Sequence, residues 1–366
     1  MTNTMRFLLA AGGLGLALCA NALELTPHGR LHLDYAAHDA DATPLPDHAI
    51  VRRARLGLDG KWGDDWSFEA SYEFTDADGG IFRDGIDELA VQYKGWPVAD
   101  LAVGQFKLPF GMEALSSSNN LVFIERALPS DAFVPSDRLG VGISHRRDRH
   151  TVTGMLFGSS ISGDERGRGL AARATVAPIR EGSTVLHLGM AVVVEHPRGG
   201  LRLRARPESR PSDIRFVNTG RLDDVDRVCR LGLEAAWKSG PVLVTSEWIR
   251  AMVRRDAGQP NLQFDGWSVA GSWVLTGESH EYKKGVLKGL PISRPSGAWE
   301  LTARYSHVDL DDGRVQGGKE RNVTLGLNYH VNEHLRIMTN LIKVHSDRRG
   351  RADHPRILLV RVQLRF

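Results

Sequence analysis

The fold class this sequence predicts is all-β: a sixteen-stranded antiparallel transmembrane β-barrel formed by a single domain over residues 23-366. Three observations predict it. Apolar and polar side chains alternate along most of the chain, the period of a strand with two unlike faces. The alternating stretches are mostly as long as a tilted membrane-spanning strand. An export signal precedes them, and no mature segment carries the 18 consecutive apolar residues of a spanning helix.

The elements follow in order. Arg6 supplies a positive n-region, Phe7 to Leu18 an apolar and glycine run, and Ala20-Asn21-Ala22 a small-x-small cleavage site. Residues 1-22 therefore read as a cleaved secretory signal peptide. The run is too short for a membrane anchor, and Leu18 is too large for the position before a lipidated Cys19. Cleavage leaves Cys229 alone, so no internal disulfide forms and no metal or redox motif is spelled. An exported chain with neither disulfides nor helical spans is periplasmic or an outer-membrane barrel.

The candidate strands are 30-37, 49-61, 65-75, 86-95, 99-108, 139-146, 150-159, 168-177, 184-195, 228-239, 242-255, 265-275, 297-308, 320-330, 334-345 and 355-366. Trp66-Ser-Phe-Glu-Ala-Ser-Tyr-Glu-Phe74 sets the pattern, with Ala or aromatics at even positions and polar residues at odd ones. Leu231 to Trp237, Trp299 to Tyr305 and Val323 to Tyr329 repeat it. Short connections follow even-numbered strands, around Gly63-Asp64, Trp96-Pro97, Ser239-Gly240 and Asn332-Glu333; longer ones follow odd-numbered strands. Short periplasmic turns and long outer loops are the habit of outer-membrane barrels. The last strand places Leu358, Val360, Val362, Leu364 and Phe366 on one face, and a terminal aromatic there resembles the signal read by the barrel assembly machinery. A closed sheet facing lipid outside and water inside accommodates a chain that is only 42% hydrophobic.

Three connections are too long for plain turns. They are 109-138, 196-227 and 276-296. The second holds eight arginines between 198 and 227 against five acids. The net charge is only +3, from 47 basic and 44 acidic residues, so a general nucleic-acid binder is excluded and anion affinity must be local. No P-loop, G-x-S-x-G or H-E-x-x-H occurs, so no enzyme and no cofactor are expected. His28, His32, His38 and His48 are scattered and read as lumen or surface residues rather than a metal site.

"IVRRARLGLDGKWGDDWSFEASYEF", "VGQFKLPFGMEALSSSNNLVFIERAL", "SWVLTGESHEYKKGVLKG" with "GAWELTARYS", and "TLGLNYHVNEHLRIMTNLIKV" resemble the phosphate-selective porin O and P family, in order and over nearly all the mature chain. The resemblance implies a homotrimer of sixteen-stranded barrels in the outer-membrane lipid. It also implies that the third and fifth outer loops and one long periplasmic turn fold into the lumen. The family's anion site maps onto the pair Arg52 and Arg53, an acid opposite at Asp87, the loop serines Ser117 and Ser118, and Arg126 after the loop glutamate. Its arginine ladder maps onto Arg202, Arg204 and Arg206, and another lumen arginine onto Arg30. Strict alternation turns Arg53 and Arg55 inward and Arg52 outward, so both members of the pair serve only if the strand is bulged.

Guanidinium groups offer planar paired donors that match phosphate oxygens. Several spaced along a channel conduct better than one trap. Yet Ser67, Ala114 and Asn119 stand where the family has lysines, which weakens the expectation of tight phosphate preference. The function expected is passive diffusion of phosphate, polyphosphate or other small anions. A general or differently specific porin and a structural or adhesive barrel remain as alternatives.

Overall fold

The computed structural model describes residues 23–75, 85–163, 166–256 and 258–366. The expected signal segment, 1-22, lies outside the described residues. Sixteen long strands carry the fold: β1 Leu23–Asp39, β2 His48–Trp62, β3 Trp66–Glu73, β4 Ile86–Tyr93, β5 Asp100–Phe106, β6 Arg138–Arg146, β7 His150–Phe157 and β8 Gly167–Glu181. They continue with β9 Thr184–Pro197, β10 Val225–Ser239, β11 Val242–Arg255, β12 Leu262–Val274, β13 Ala298–Asp312, β14 Val315–His330, β15 Leu335–Arg348 and β16 Arg356–Arg365. Each pairs antiparallel with the next, and β1 pairs with both β2 and β16. Arg30 thus lies opposite Arg55 on one side and Arg365 on the other. The ladder closes with no free edge, as a sheet in lipid must.

Period two sorts the side chains. Outward residues such as Leu325, Leu341 and Leu358 are exposed, whereas inward Asn322, Thr324, Asn340 and Arg361 are buried under what fills the lumen. Aromatics ring the outer wall at the two water interfaces. Trp66–Tyr93 and Trp299–Tyr329 contact one another at the short-turn end, and Trp267 stacks on Tyr305 toward the other.

All sixteen expected strands occur, but several run longer. β1 begins at Leu23, seven residues ahead of the expected start at 30, with Leu23 opposite Trp62. β13 and β14 extend to a tight turn at Gly313-Arg314, where a long loop over 309-319 was expected. Above the membrane both faces of a strand meet water, so alternation fades there while the backbone ladder continues.

The three long connections do fold inward. The loop 107–137 after β5, here L3, carries α1 Met112–Leu115, a 3-10 turn at Ser118–Asn120 and α2 Leu128–Phe133. It lies against β13 to β16: Asn328 Nδ2 donates to Val122 O at 2.8 Å, Arg336 to Leu121 O at 2.9 Å, and Ile124 N to Asn340 Oδ1 at 2.9 Å. The loop 198–224 after β9, here L5, forms a small ribbon in which Arg204–Ala205 pairs with Val217–Asn218. Glu208 at its tip meets Arg304 at 2.6 Å and Thr324 at 2.7 Å on the wall. The periplasmic turn 275–297 rises to bring Tyr282 OH within 2.8 Å of His187 Nδ1 and His280 Nε2 within 2.6 Å of Glu300. L3 and L5 also share an apolar core with the inner wall, including Phe110, Leu128, Phe133, Leu203, Val217, Ile249 and Phe264. Each such side chain contributes on the order of 1.5–3 kcal/mol on burial, so the loops are built into the wall.

Candidate functional site

The irregularity that both members of the arginine pair require is present. Opposite β1, His32 pairs with Arg53 and Leu33 with Val51, which leaves Arg52 as the extra residue of a β-bulge. Both arginines then face the lumen, with different partners. Arg52 donates to Glu125 of L3 at 2.7 and 3.2 Å. Glu125 also receives Arg361 of β16 at 2.7 Å and lies 3.6 Å from Arg210 of L5. Arg361 in turn donates to Asp34 of β1 at 2.6 and 2.7 Å. Burial works against ionisation of Glu125, but Arg52, Arg361 and Arg210 outweigh it and hold its carboxyl well below the usual range. The charge of Arg52 is therefore committed to holding L3.

Arg53 lies among groups that leave its charge uncompensated. Its Nε is buried without a hydrogen-bond partner. Beside it, Arg30 donates to Ser118 Oγ at 2.9 Å and reaches Ser117 Oγ at 3.5 Å. Ser117 caps the 3-10 turn by accepting from Asn119 N, and Asn119 Oδ1 lies 3.0 Å from His32 Nε2. Arg55 is held by Glu73 at 3.0 Å and by Asp87. Asp87 thus positions Arg55 rather than Arg53. Together Arg30, Arg53, Arg55, Asp87, Ser118 and Arg126 line a cavity of about 290 Å³.

Two further cavities continue from this one. Lys107, Arg126, Ser136 and Asp137 form part of its wall and part of the wall of a second, of about 270 Å³, between L3 and L5. The second shares Asp131, Ser136, Arg206 and Arg210 with a third, of about 450 Å³, toward the outer mouth. Nine arginines line that outer chamber, Arg202, Arg204, Arg206, Arg210 and Arg215 among them, against the acids Asp131 and Glu195. Arg206 reaches Asp213 and Arg202 reaches Asn218, at 2.8 and 3.0 Å. Burial, then Arg206 and Arg204, push the guanidinium of Arg215 down to about 10.

Arg126 sits between the chambers. Its guanidinium donates to the carbonyls of Glu113, Ala114 and Ser116 at 3.1–3.2 Å, so it shapes L3 while leaving a net positive charge at the cavity wall. Where the family's lysines are missing, Ala114 is part of the middle chamber's wall and Asn119 is tied to His32. Ser67 accepts from Lys94 Nζ at 2.8 Å, so a cation does stand at that point.

The structure places Arg30, Arg53, Asp87, Ser118, Arg126, Arg202, Arg204 and Arg206 in the walls of these chambers, whereas Arg52, paired with Glu125, and Ser117, the cap of the 3-10 turn, line none of them. It adds Lys107, at the end of the expected strand 99-108, and Asp137 and Arg210, which sit on irregular backbone where no period announces an inward face. Asp137 lies in the wall shared by two chambers. Burial, then Asp87 and Glu88, push its carboxyl up to about 7.

The family model described as phosphate-selective porin O and P matches residues 26–366. Porin O of Pseudomonas aeruginosa is 25% identical over 92% of this chain and 86% of its own length. An uncharacterized protein of Caulobacter vibrioides is 29% identical over 85% of this chain and 66% of its own length. Among solved structures, the anion-selective porin from Comamonas acidovorans superposes with a TM-score of 0.62 at 13% identity, covering 94% of this chain and 100% of that one. The outer membrane channel DcaP of Acinetobacter baumannii gives 0.62 at 12% identity, covering 94% and 97%. At these identities the structural likenesses speak for the fold.

Proposed function

This chain belongs to the phosphate-selective porin O and P family and is an outer-membrane channel, and we propose that it passes small anions, phosphate first among them, by passive diffusion through an arginine-lined constriction. The observation that carries this reading is the run of three cavities with shared walls, arginine-rich at the mouth and closing on Arg30, Arg53, Arg55 and Arg126.

An anion enters the chamber beside Arg202, Arg204 and Arg206, where the field raises its local concentration. It passes Arg210 and Arg126 in the middle chamber. At the constriction it exchanges water for the N–H groups of Arg30 and Arg53 and the hydroxyl of Ser118. Two unit charges 4 Å apart attract by about 4 kcal/mol at an effective dielectric near 20, against about 1 in water. Asp87, Glu73 and Asp137 limit that attraction, so the anion also leaves. The missing family lysines at Ala114 and Asn119 favour a channel selective for anions with a modest preference for phosphate. Three copies assemble in the membrane, as the family implies and as the trimer form of OmpT from Vibrio cholerae illustrates for that protein.

Reversal potentials of the purified protein in planar bilayers under a potassium chloride gradient test the reading. The wild type is expected to favour chloride and to lose chloride current when millimolar phosphate is added. Arg53→Ala weakens the phosphate block about tenfold, equivalent to about 1.4 kcal/mol. Exchanging Arg202, Arg204 and Arg206 together for Ala lowers anion selectivity most at low salt, because screening shortens to about 3 Å at 1 M. Cation preference in the wild type sinks the proposal.

A further inference from the structure

The outer wall of the barrel carries a second set of cations, turned away from the pore. Register aligns them in two rows near the end opposite the chain termini. In one row Tyr305 pairs with Val323, Val323 with Lys343, and Lys343 with Arg356. In the row above, Trp267 pairs with His307, His307 with Arg321, and Arg321 with His345, whose ring lies 5.3 Å from that of His354. Arg321, Lys343 and Arg356 are exposed, and among the described residues no hydrogen bond or ion pair engages their side chains. The acids nearby are Asp39, exposed opposite Arg356 at the end of the lower row, and Asp265, Asp309 and Asp347 one row higher, where Lys319 already binds Asp309 at 2.8 Å.

What lies below and beside these cations fixes their depth. Directly beneath, Leu325, Leu341 and Leu358 pair in the next outward row and are exposed. Below them come Leu327 and Val360 on either side of Thr339, then Ile337 with Val362 and the stacked pair Trp299–Tyr329. From Arg321 to Tyr329 is eight residues of β14, roughly 26 Å along the strand at ~3.3 Å per residue. That is about 20 Å along the membrane normal at a strand tilt of ~40°, close to the apolar band of an outer-membrane barrel. The stacked Trp267 and Tyr305 share the two cationic rows and mark the upper interface. The cations therefore sit at the level of lipid headgroups, with acyl-chain surface immediately beneath.

We propose that the face formed by β13 to β16 is a binding site for a phosphorylated lipid of the outer leaflet, whose phosphates bridge Arg321, Lys343 and Arg356 and whose acyl chains lie on Leu325, Leu341 and Leu358. Charge complementarity selects this occupant. Three permanent cations share their two rows with a single acid, Asp39, so they carry a net positive charge that an anion relieves, and the largely aliphatic rows below suit saturated chains. A zwitterionic headgroup brings its own cation and gains less. Tyr305 and Trp267 cover the flank of the headgroup.

The test compares the wild type with Arg321→Gln/Lys343→Gln/Arg356→Gln, each purified in mild detergent and mixed with diphosphoryl lipid A, monophosphoryl lipid A, phosphatidylcholine or inorganic phosphate. Native mass spectrometry is expected to retain diphosphoryl lipid A on the wild type, less of the monophosphoryl form and no phosphatidylcholine. The triple variant loses at least tenfold of that binding while its channel conductance and phosphate block stay at wild-type values. The unchanged block keeps this result separate from the anion-channel reading. Equal lipid retention by the two proteins overturns the proposal. So does a protein that prefers phosphatidylcholine, or a variant whose change is loss of the trimer with lipid binding intact, since the face is then a contact between subunits. Inorganic phosphate displacing the lipid's effect at equal concentration also overturns it, because the acyl rows then contribute nothing. A variant that fails to insert is replaced by the single changes Lys343→Gln and Arg356→Gln, each expected to lose part of the lipid.

Discussion

At the level of single residues, neighbouring arginines of one strand have separate tasks. Arg52 is neutralised by Glu125, while Arg53, one position on, keeps an uncompensated charge at the cavity wall. Residue identity showed the pair and alternation showed Arg53 facing inward. Neither revealed the partner of Arg52, because Glu125 is 73 residues away in a loop without periodicity. Asp137 was illegible for the same reason, yet its carboxyl titrates near neutrality, raised to about 7. Below that value it is protonated and neutral, so the chambers are at their most positive. Above it the carboxylate forms and opposes Lys107 and Arg126 across the shared wall. Anion over cation selectivity is therefore expected to fall as pH rises from 6 to 8, and Asp137→Asn is expected to hold the low-pH value throughout. Reversal potentials at fixed salt across that interval check it; identical profiles for the two proteins remove Asp137 from the path.

Among the elements, strands were legible because each face meets a different medium and writes a period of two into the chain. The rest of the ladder was hidden where that contrast ends. Val315–Lys319 reads as loop because both its faces meet water, although it continues β14 through a one-residue register shift between Asp309 and Asp311. The β2 bulge is the element on which the site depends. Its extra residue adds one inward side chain without reversing the flanks: Ile50, Arg53 and Arg55 would alternate regularly without Arg52. Deletion of Arg52 is therefore expected to leave a folded barrel with Arg53 still in the lumen, whereas a bulge required for the fold would make deletion far worse than substitution. Deletion and Arg52→Gln should cost a similar amount, about 3–5 kcal/mol for one partner removed from a buried ion pair. The temperature at which the folded band disappears on unheated gels, compared between the two variants, measures this.

For the whole molecule, barrel architecture follows from the sequence because closure in lipid leaves few solutions, while loop placement required the family resemblance. Long connections at 109-138, 196-227 and 276-296 announce themselves by length; that they turn inward depends on wall residues scattered around the barrel, from Arg30 of β1 and Arg52 of β2 to Arg361 of β16. Assembly of three copies is an expectation that rests on the family and on a trimer among the similar structures. Native mass measurement in mild detergent is expected to give three times the mature subunit mass, with conductance appearing in threes. A monomer of full activity would remove the trimer.

Glu125 joins parts of the chain that are remote in time as well as in sequence. Its carboxylate holds Arg52 of β2 and Arg361 of β16, and Arg361 holds Asp34 of β1. Those strands flank the seam where the first and last strands meet. A barrel that zips shut before L3 has entered traps Arg361 and Asp34 facing an empty lumen; one that zips afterward meets its third partner already in place. Loop entry and seam closure are therefore expected to be coupled, with L3 in place when β16 meets β1. In a refolding time course, Glu125→Gln is expected to delay the heat-resistant form while strand content appears at the wild-type rate, separating two steps that the native carboxylate fuses.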